Sequence, residues 1–136
     1  MITGLELPWP PSVNHYYRHV GPRVLISREG RRYREKMISL LQENKVKTYS
    51  GPVEISIEAY PPDNRRRDVD NLLKSLLDAF THGGLVEDDS QVCSLMIKKR
   101  QPMPPEGMIY MEIKEYDEKA ESRRTLQDNP KLCEGN

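Results

Sequence analysis

A chain of 136 residues has room for one hydrophobic core and not two. Its hydrophobic fraction of 36% makes that core lean, and no apolar run approaches the roughly 20 residues that span a bilayer. Two cysteines, Cys93 and Cys133, exclude a disulfide framework, and zero net charge argues against nucleic acid only if the charges are evenly spread.

The segment Met1–Glu6 lacks the basic start and apolar stretch of a signal peptide. A cytoplasmic protein with no membrane partner is therefore expected. Residues 2–7 read as a first strand, ended by Pro8-Trp9-Pro10-Pro11, which loses backbone donors and must be an extended, rigid loop. Val24-Leu25-Ile26 suits a short edge strand. Ser27 is a plausible N-cap. After it Tyr33, Met37, Leu40 and Leu41 trace the apolar stripe of a helix over about 28–46, with Asn44 closing the series.

Gly51-Pro52 breaks the chain. Val53, Ile55, Ile57 and Ala59 then alternate with Glu54, Ser56 and Glu58, the pattern of a half-buried strand. Pro61-Pro62-Asp63-Asn64 stops it. Leu72, Leu73, Leu76, Leu77 and Phe80 fill one arc of a second helix over about 70–82, which Gly83-Gly84 ends. Residues 92–100 and 108–115 read as two strands in a hairpin around the loop Pro102–Gly107. The order β-(β)-α-β-α-β-β implies a single α+β domain, residues 1–116, with a mixed sheet and two main helices. Residues 117–136 are charged and nearly without apolar side chains, a frayed helix or a flexible tail. Cys93 reads as a buried thiol and Cys133 as a tail thiol.

The charges are not evenly spread. Arg18, Arg23, Arg28, Arg31, Arg32 and Arg34 face only Glu6 and Glu29 in residues 1–34. Arg65-Arg66-Arg67 and Lys98-Lys99-Arg100 form two more basic clusters. A neutral total can hide a basic face, although a solvated, salt-bridged surface would give the same counts.

The informative segment is Arg65-Arg66-Arg67-Asp68-Val69-Asp70-Asn71-Leu72-Leu73-Lys74. In an extended stretch Asp68 and Asp70 point to the same side. Lys74 lies about 40° from Asp70 around the helix, one turn up, and Asp78 continues the stripe. Two carboxylates beside an ammonium are a start for a hard-cation site, which needs a third oxygen ligand. Glu87-Asp88-Asp89 is the candidate source. The competing reading makes Asp70 an N-cap and pairs Asp68 with the arginines. A calcium loop fails, because Leu72 and Leu73 stand where an acceptor and a glycine are needed. Arginines bind phosphate through bidentate forks, so a metal site beside them would suit phosphodiester hydrolysis. His15 and His19 have helical spacing but no thiolate partner nearby, which makes zinc a poor fit. Tyr16-Tyr17-Arg18 suits either DNA stacking or core packing.

Three motifs in order resemble the RusA family of Holliday junction resolvases. They are Leu7-Pro8-Trp9-Pro10-Pro11-Ser12 with Asn14 and Tyr16-Tyr17-Arg18-His19; the arginine–aspartate segment with Lys74; and Glu87-Asp88-Asp89-Ser90-Gln91-Val92. The resemblance spans about residues 5–115. It implies an intertwined homodimer that resolves four-way junctions by paired symmetric nicks in recombination and repair. It implies magnesium, with manganese as a possible substitute, on Asp68, Asp70 and Asp89. It makes Lys74 a cleavage residue. Contacts to branched DNA would come from Ser12, Val13, Asn14 and His15, and from Asn64, Arg65, Arg66, Arg67 and Asn71. Val13 and His15 depart from the polar residue and arginine expected there.

Overall fold

The computed structural model describes residues 2–128. The alternation along β4 (Val53–Tyr60) sets its centre: Val53, Ile55, Ile57 and Ala59 are buried, and the residues between them are half-buried. β4 pairs antiparallel with β6 (Met108–Glu115) and parallel with β5 (Val92–Lys99). β1 (Thr3–Leu7) pairs antiparallel with β6, so the mixed sheet runs β1-β6-β4-β5. α2 (Arg28–Glu43) contributes Tyr33, Met37 and Leu41 to the core, and α3 (Val69–Gly83) contributes Leu76, Ala79 and Phe80. The α+β reading therefore holds for one domain with a mixed sheet.

The hairpin expectation does not. β5 and β6 lie on opposite sides of β4 and do not pair. α3 is the crossover that makes β4 and β5 parallel. The loop 102–107 then passes over the end of β4, where Gly107 adopts φ +73°. A Cβ at Gly107 would sit 2.8 Å from Tyr60 O and Pro62 N, so the crossing requires glycine.

Three smaller elements precede α2: α1 (Val13–Tyr16) and the hairpin of β2 (Tyr17–Val20) with β3 (Arg23–Ile26). α1 and β2 carry no pattern of their own in the sequence. Ser27 holds them in place. Its hydroxyl accepts from Gly30 N at 3.0 Å, capping α2, and donates to Tyr16 O at 2.8 Å. α2 ends at Glu43, earlier than the stripe suggested, because Asn44 caps it and Lys45 turns into the left-handed region at φ 54°. Cys93 is exposed rather than buried. It has no register partner, since β5 shifts opposite Val53 and Glu54 on an edge strand. α4 (Glu118–Asp128) follows β6. Residues 129–136, including Cys133, lie outside the described residues. No helix among the described residues is long and apolar enough to cross a membrane.

Candidate active site

The N-terminus of α3 carries the candidate acids. Asp68 occupies the N-cap position in extended backbone, and its side chain makes no capping hydrogen bond. Asp70 lies in the first turn and Lys74 in the next. Asp70, Lys74 and Asp89 line one hollow of about 500 Å³, together with Tyr17. Asp89 reaches it because α3 stops at Gly84, in the left-handed region at φ 94°, and buried Leu85 and Val86 fold the chain back.

The next loop separates the two candidate acids of the third motif. Asp88 caps the short 3-10 turn Asp89–Gln91, its Oδ2 accepting from Ser90 N at 3.0 Å. The Ser90 side chain, and then that backbone bond, hold its carboxyl below the usual carboxylate range. Gln91 locks the turn: Oε1 accepts from Glu87 N and Asp88 N, and Nε2 donates to Tyr49 O and Gly51 O. Both acids are exposed and line the same hollow, but Asp88 is engaged in the local cap while Asp89 makes no side-chain bond among the described residues.

Asp68, Asp70 and Asp89 are all exposed and make no side-chain hydrogen bond or ion pair among the described residues. The arginines pair elsewhere: Arg67 Nη1 meets Asp63 Oδ1 at 2.7 Å, and Arg65 Nε lies 3.8 Å from Asp63 Oδ2. Asp63 is thereby held below the usual carboxylate range, chiefly by Arg67. The cap-and-salt-bridge reading of Asp68 and Asp70 therefore does not describe this fold. Asp68 faces a second hollow, with Ser12, Arg66, Arg67 and Asn71. Among the described residues, no three acidic, histidine or cysteine side chains stand close enough to enclose a metal ion.

The basic clusters divide into committed and free groups. Arg67 also donates to the carbonyls of Asp63 and Arg65 and lies over the Trp9 ring, 5.6 Å from its centroid. It closes the loop 63–68. Lys99 Nζ donates to Arg67 O at 3.0 Å, and Arg100 pairs with Glu58 at 2.6 Å. Two basic clusters far apart in sequence thus meet around Asn64. Arg65 is 85% exposed at its side chain, and Arg66 is exposed. Of the N-terminal candidates only Ser12 reaches the second hollow. Val13 is half-buried, and Asn14 and His15 are exposed on α1, where His15 Nδ1 is bonded to Ser12 Oγ at 3.1 Å.

Two features escaped the sequence. Asp78 is not a free member of the α3 stripe: Arg34 grips it bidentately, Nε to Oδ2 at 2.8 Å and Nη2 to Oδ1 at 3.0 Å. The buried Tyr16 hydroxyl also donates to it. Burial pushes the Asp78 carboxyl up, but Arg34 and Tyr16 outweigh burial and hold it below the usual range. Burial and the Asp78 contact push the Tyr16 phenol up. The second feature is Lys74 Nζ, 5.5 Å from the centroid of the half-buried Tyr17 ring. No local spacing signals either contact, because the partners lie 44 to 62 residues apart.

Unpartnered aspartates at a helix start, beside a loop of exposed and loop-closing arginines, are a set that phosphodiester cleavage could use, on an α+β fold. The family model for endodeoxyribonuclease RusA matches residues 8–124. Crossover junction endodeoxyribonucleases RusA from Enterobacteria phage 82 and Escherichia coli K12 are 41% and 40% identical over 112 residues. Each match covers 82% of this chain and 92% of the relative. The counterpart from Enterobacteria phage HK97 is 36% identical over the same length. The chain belongs to the RusA family of endodeoxyribonucleases.

Proposed function

We propose that this chain resolves four-way DNA junctions by paired symmetric nicks, using a divalent cation held by Asp68, Asp70 and Asp89. The observation that carries this is the freedom of those three carboxylates, when Asp63, Asp78 and Asp88 are all engaged. The donor set fits a hard cation such as magnesium, with manganese as a substitute, because it offers only oxygen ligands. Asp70 and Asp89 share one hollow and Asp68 another, so a cation held by all three would have to draw them together. A bound cation would polarise the phosphoryl oxygen and lower the pKa of a water.

The remaining work falls to the chain's own residues. Lys74 places an ammonium against the phosphate or the leaving oxygen. Arg65 and Arg66 hold the strand, with Ser12, Asn64 and Asn71 beside them. Val13, Asn14 and His15 on α1 meet a neighbouring part of the DNA. Arg67 supports DNA contact by shaping its loop. Two nicks need two sites, which a C2 dimer supplies. The edge strand β5, with Leu95 37% and Met96 55% exposed, gives a second copy an apolar surface to cover. The nuclease unit is residues 1–116, and deleting 120–136 should leave nicking nearly intact, even though the family model runs to residue 124. The test compares Asp70→Asn with the parent on junction, flap and linear duplex, by gel shift without metal and by nicking in magnesium. Junction binding that survives while nicking fails supports the reading. Parental nicking by the variant, or equal cutting of linear duplex, overturns it.

A further inference from the structure

The second hollow differs in chemistry from the first. It encloses about 200 Å³ between the Pro8–Pro11 loop and the first turn of α3. Its walls are Trp9, Pro10, Pro11 and Leu72, all buried or half-buried. The Arg67 guanidinium, pinned by Asp63, adds a second planar group 5.6 Å from the indole centroid. Exposed Ser12, Arg66, Asp68 and Asn71 form the rim. The Asn71 carboxamide and the Trp9 indole N–H have no hydrogen-bond partner among the described residues.

Arg66 at the mouth can hold a strand phosphate, but the apolar and aromatic walls do not solvate one inside the hollow, and Asp68 repels it there. A planar heterocycle fits on every count. It stacks on indole or guanidinium faces, and a carboxamide offers it a donor and an acceptor side by side. Asp68 can accept from an exocyclic amine. The two hollows meet along the start of α3, where Asp68 of this one stands two residues before Asp70 of the other. We propose that this hollow is a nucleobase pocket: it takes one base unstacked at the branch point, next to the scissile phosphate. Asn71 discriminates among bases, which makes it a specificity determinant for where the strand is cut. The proposal rests on the nuclease reading above, since it needs branched DNA at this surface. Unstacking a base costs least where the stack is already interrupted, and a branch point supplies that interruption.

Trp9 is the chain's single tryptophan, so its fluorescence reports on the pocket alone. The experiment titrates the full chain, in chelator, with a fixed-sequence four-way junction, following both gel shift and Trp9 emission. A series of junctions then carries one abasic site at successive positions around the branch point. The parent junction should quench Trp9. One abasic position should relieve the quench and weaken binding about tenfold, while its neighbours do neither. Trp9→Phe should keep that position dependence of binding, and Trp9→Leu should lose it. A junction that binds without quenching, or abasic positions that all behave alike, overturns the pocket and leaves the nuclease reading intact. A chain that binds no junction overturns both. The abasic series uses the unaltered protein, so it decides the matter even if the Trp9 variants fail to fold.

Discussion

Asp70 and Asp78 stand two turns apart on one helix, in one polar stripe of the sequence. The fold treats them oppositely. Asp78 is 17% exposed at its side chain and locked by Arg34 and Tyr16, which ties α3 to α2 and α1. Asp70 is exposed and unpartnered. The position of a carboxylate on a helix says little about its task. Whether a cation from another element reaches it says a great deal, because a paired acid stabilises the fold and an unpaired one can bind an ion.

Substitution should separate the two tasks. Asp70→Asn should lower nicking by about two orders of magnitude or more and leave the melting temperature close to that of the parent. A stability loss with normal nicking would reverse the roles. Asp78→Asn leaves Arg34 half-buried without its counter-charge and should cost about 2 kcal/mol in urea denaturation. Its folded pKa is depressed, so its contribution is present above about pH 4, the range of an unfolded carboxylate. It is lost as pH falls through the lower folded value. Acid unfolding of Asp78→Asn should therefore show a smaller loss of stability below about pH 4 than the parent. An unchanged acid limb would count against the locked pair.

Lys74 and Tyr17 test the same division inside the hollow. Tyr17→Phe keeps an aromatic face under the ammonium and should nick at nearly the parental rate. Tyr17→Ala should slow nicking several-fold without changing metal-free binding. Equal rates for the two variants would remove Tyr17 from the positioning of Lys74. The arginines extend the comparison to DNA contact. Arg65→Ala should reduce the salt dependence of junction binding by about 0.9 log units per tenfold change in salt, one phosphate contact. Arg67→Ala should mainly loosen the loop 63–68, seen as faster proteolysis there. If Arg67→Ala changes only the salt slope, its bonds to Asp63 matter less than its charge. Cys93→Ser, on the exposed edge of β5, should shift stability by no more than about 0.5 kcal/mol.

The sequence determined a good part of this protein. Period-2 alternation fixed β4, and the leucine arc fixed α3 to within one residue at each end, because both patterns are set by which face meets the core. The three motifs were enough to identify the family. Pairing of strands was not legible: Pro104-Pro105 and Gly107 suit a hairpin or a strand-skipping loop equally, and only the burial of β4 between its neighbours chose. Nor was Cys93 legible, since a small apolar residue in a strand is exposed or buried according to which edge the strand takes. The separation of Asp89 from Asp88 depended on a four-residue cap closed by Gln91. The separation of Asp70 from Asp78 depended on Arg34 and Tyr16, brought in from elements far away along the chain. Local composition carries the period of an element and the identity of a motif. Which charge meets which is decided by tertiary packing, because an ion pair depends on distance through space and not on separation along the chain.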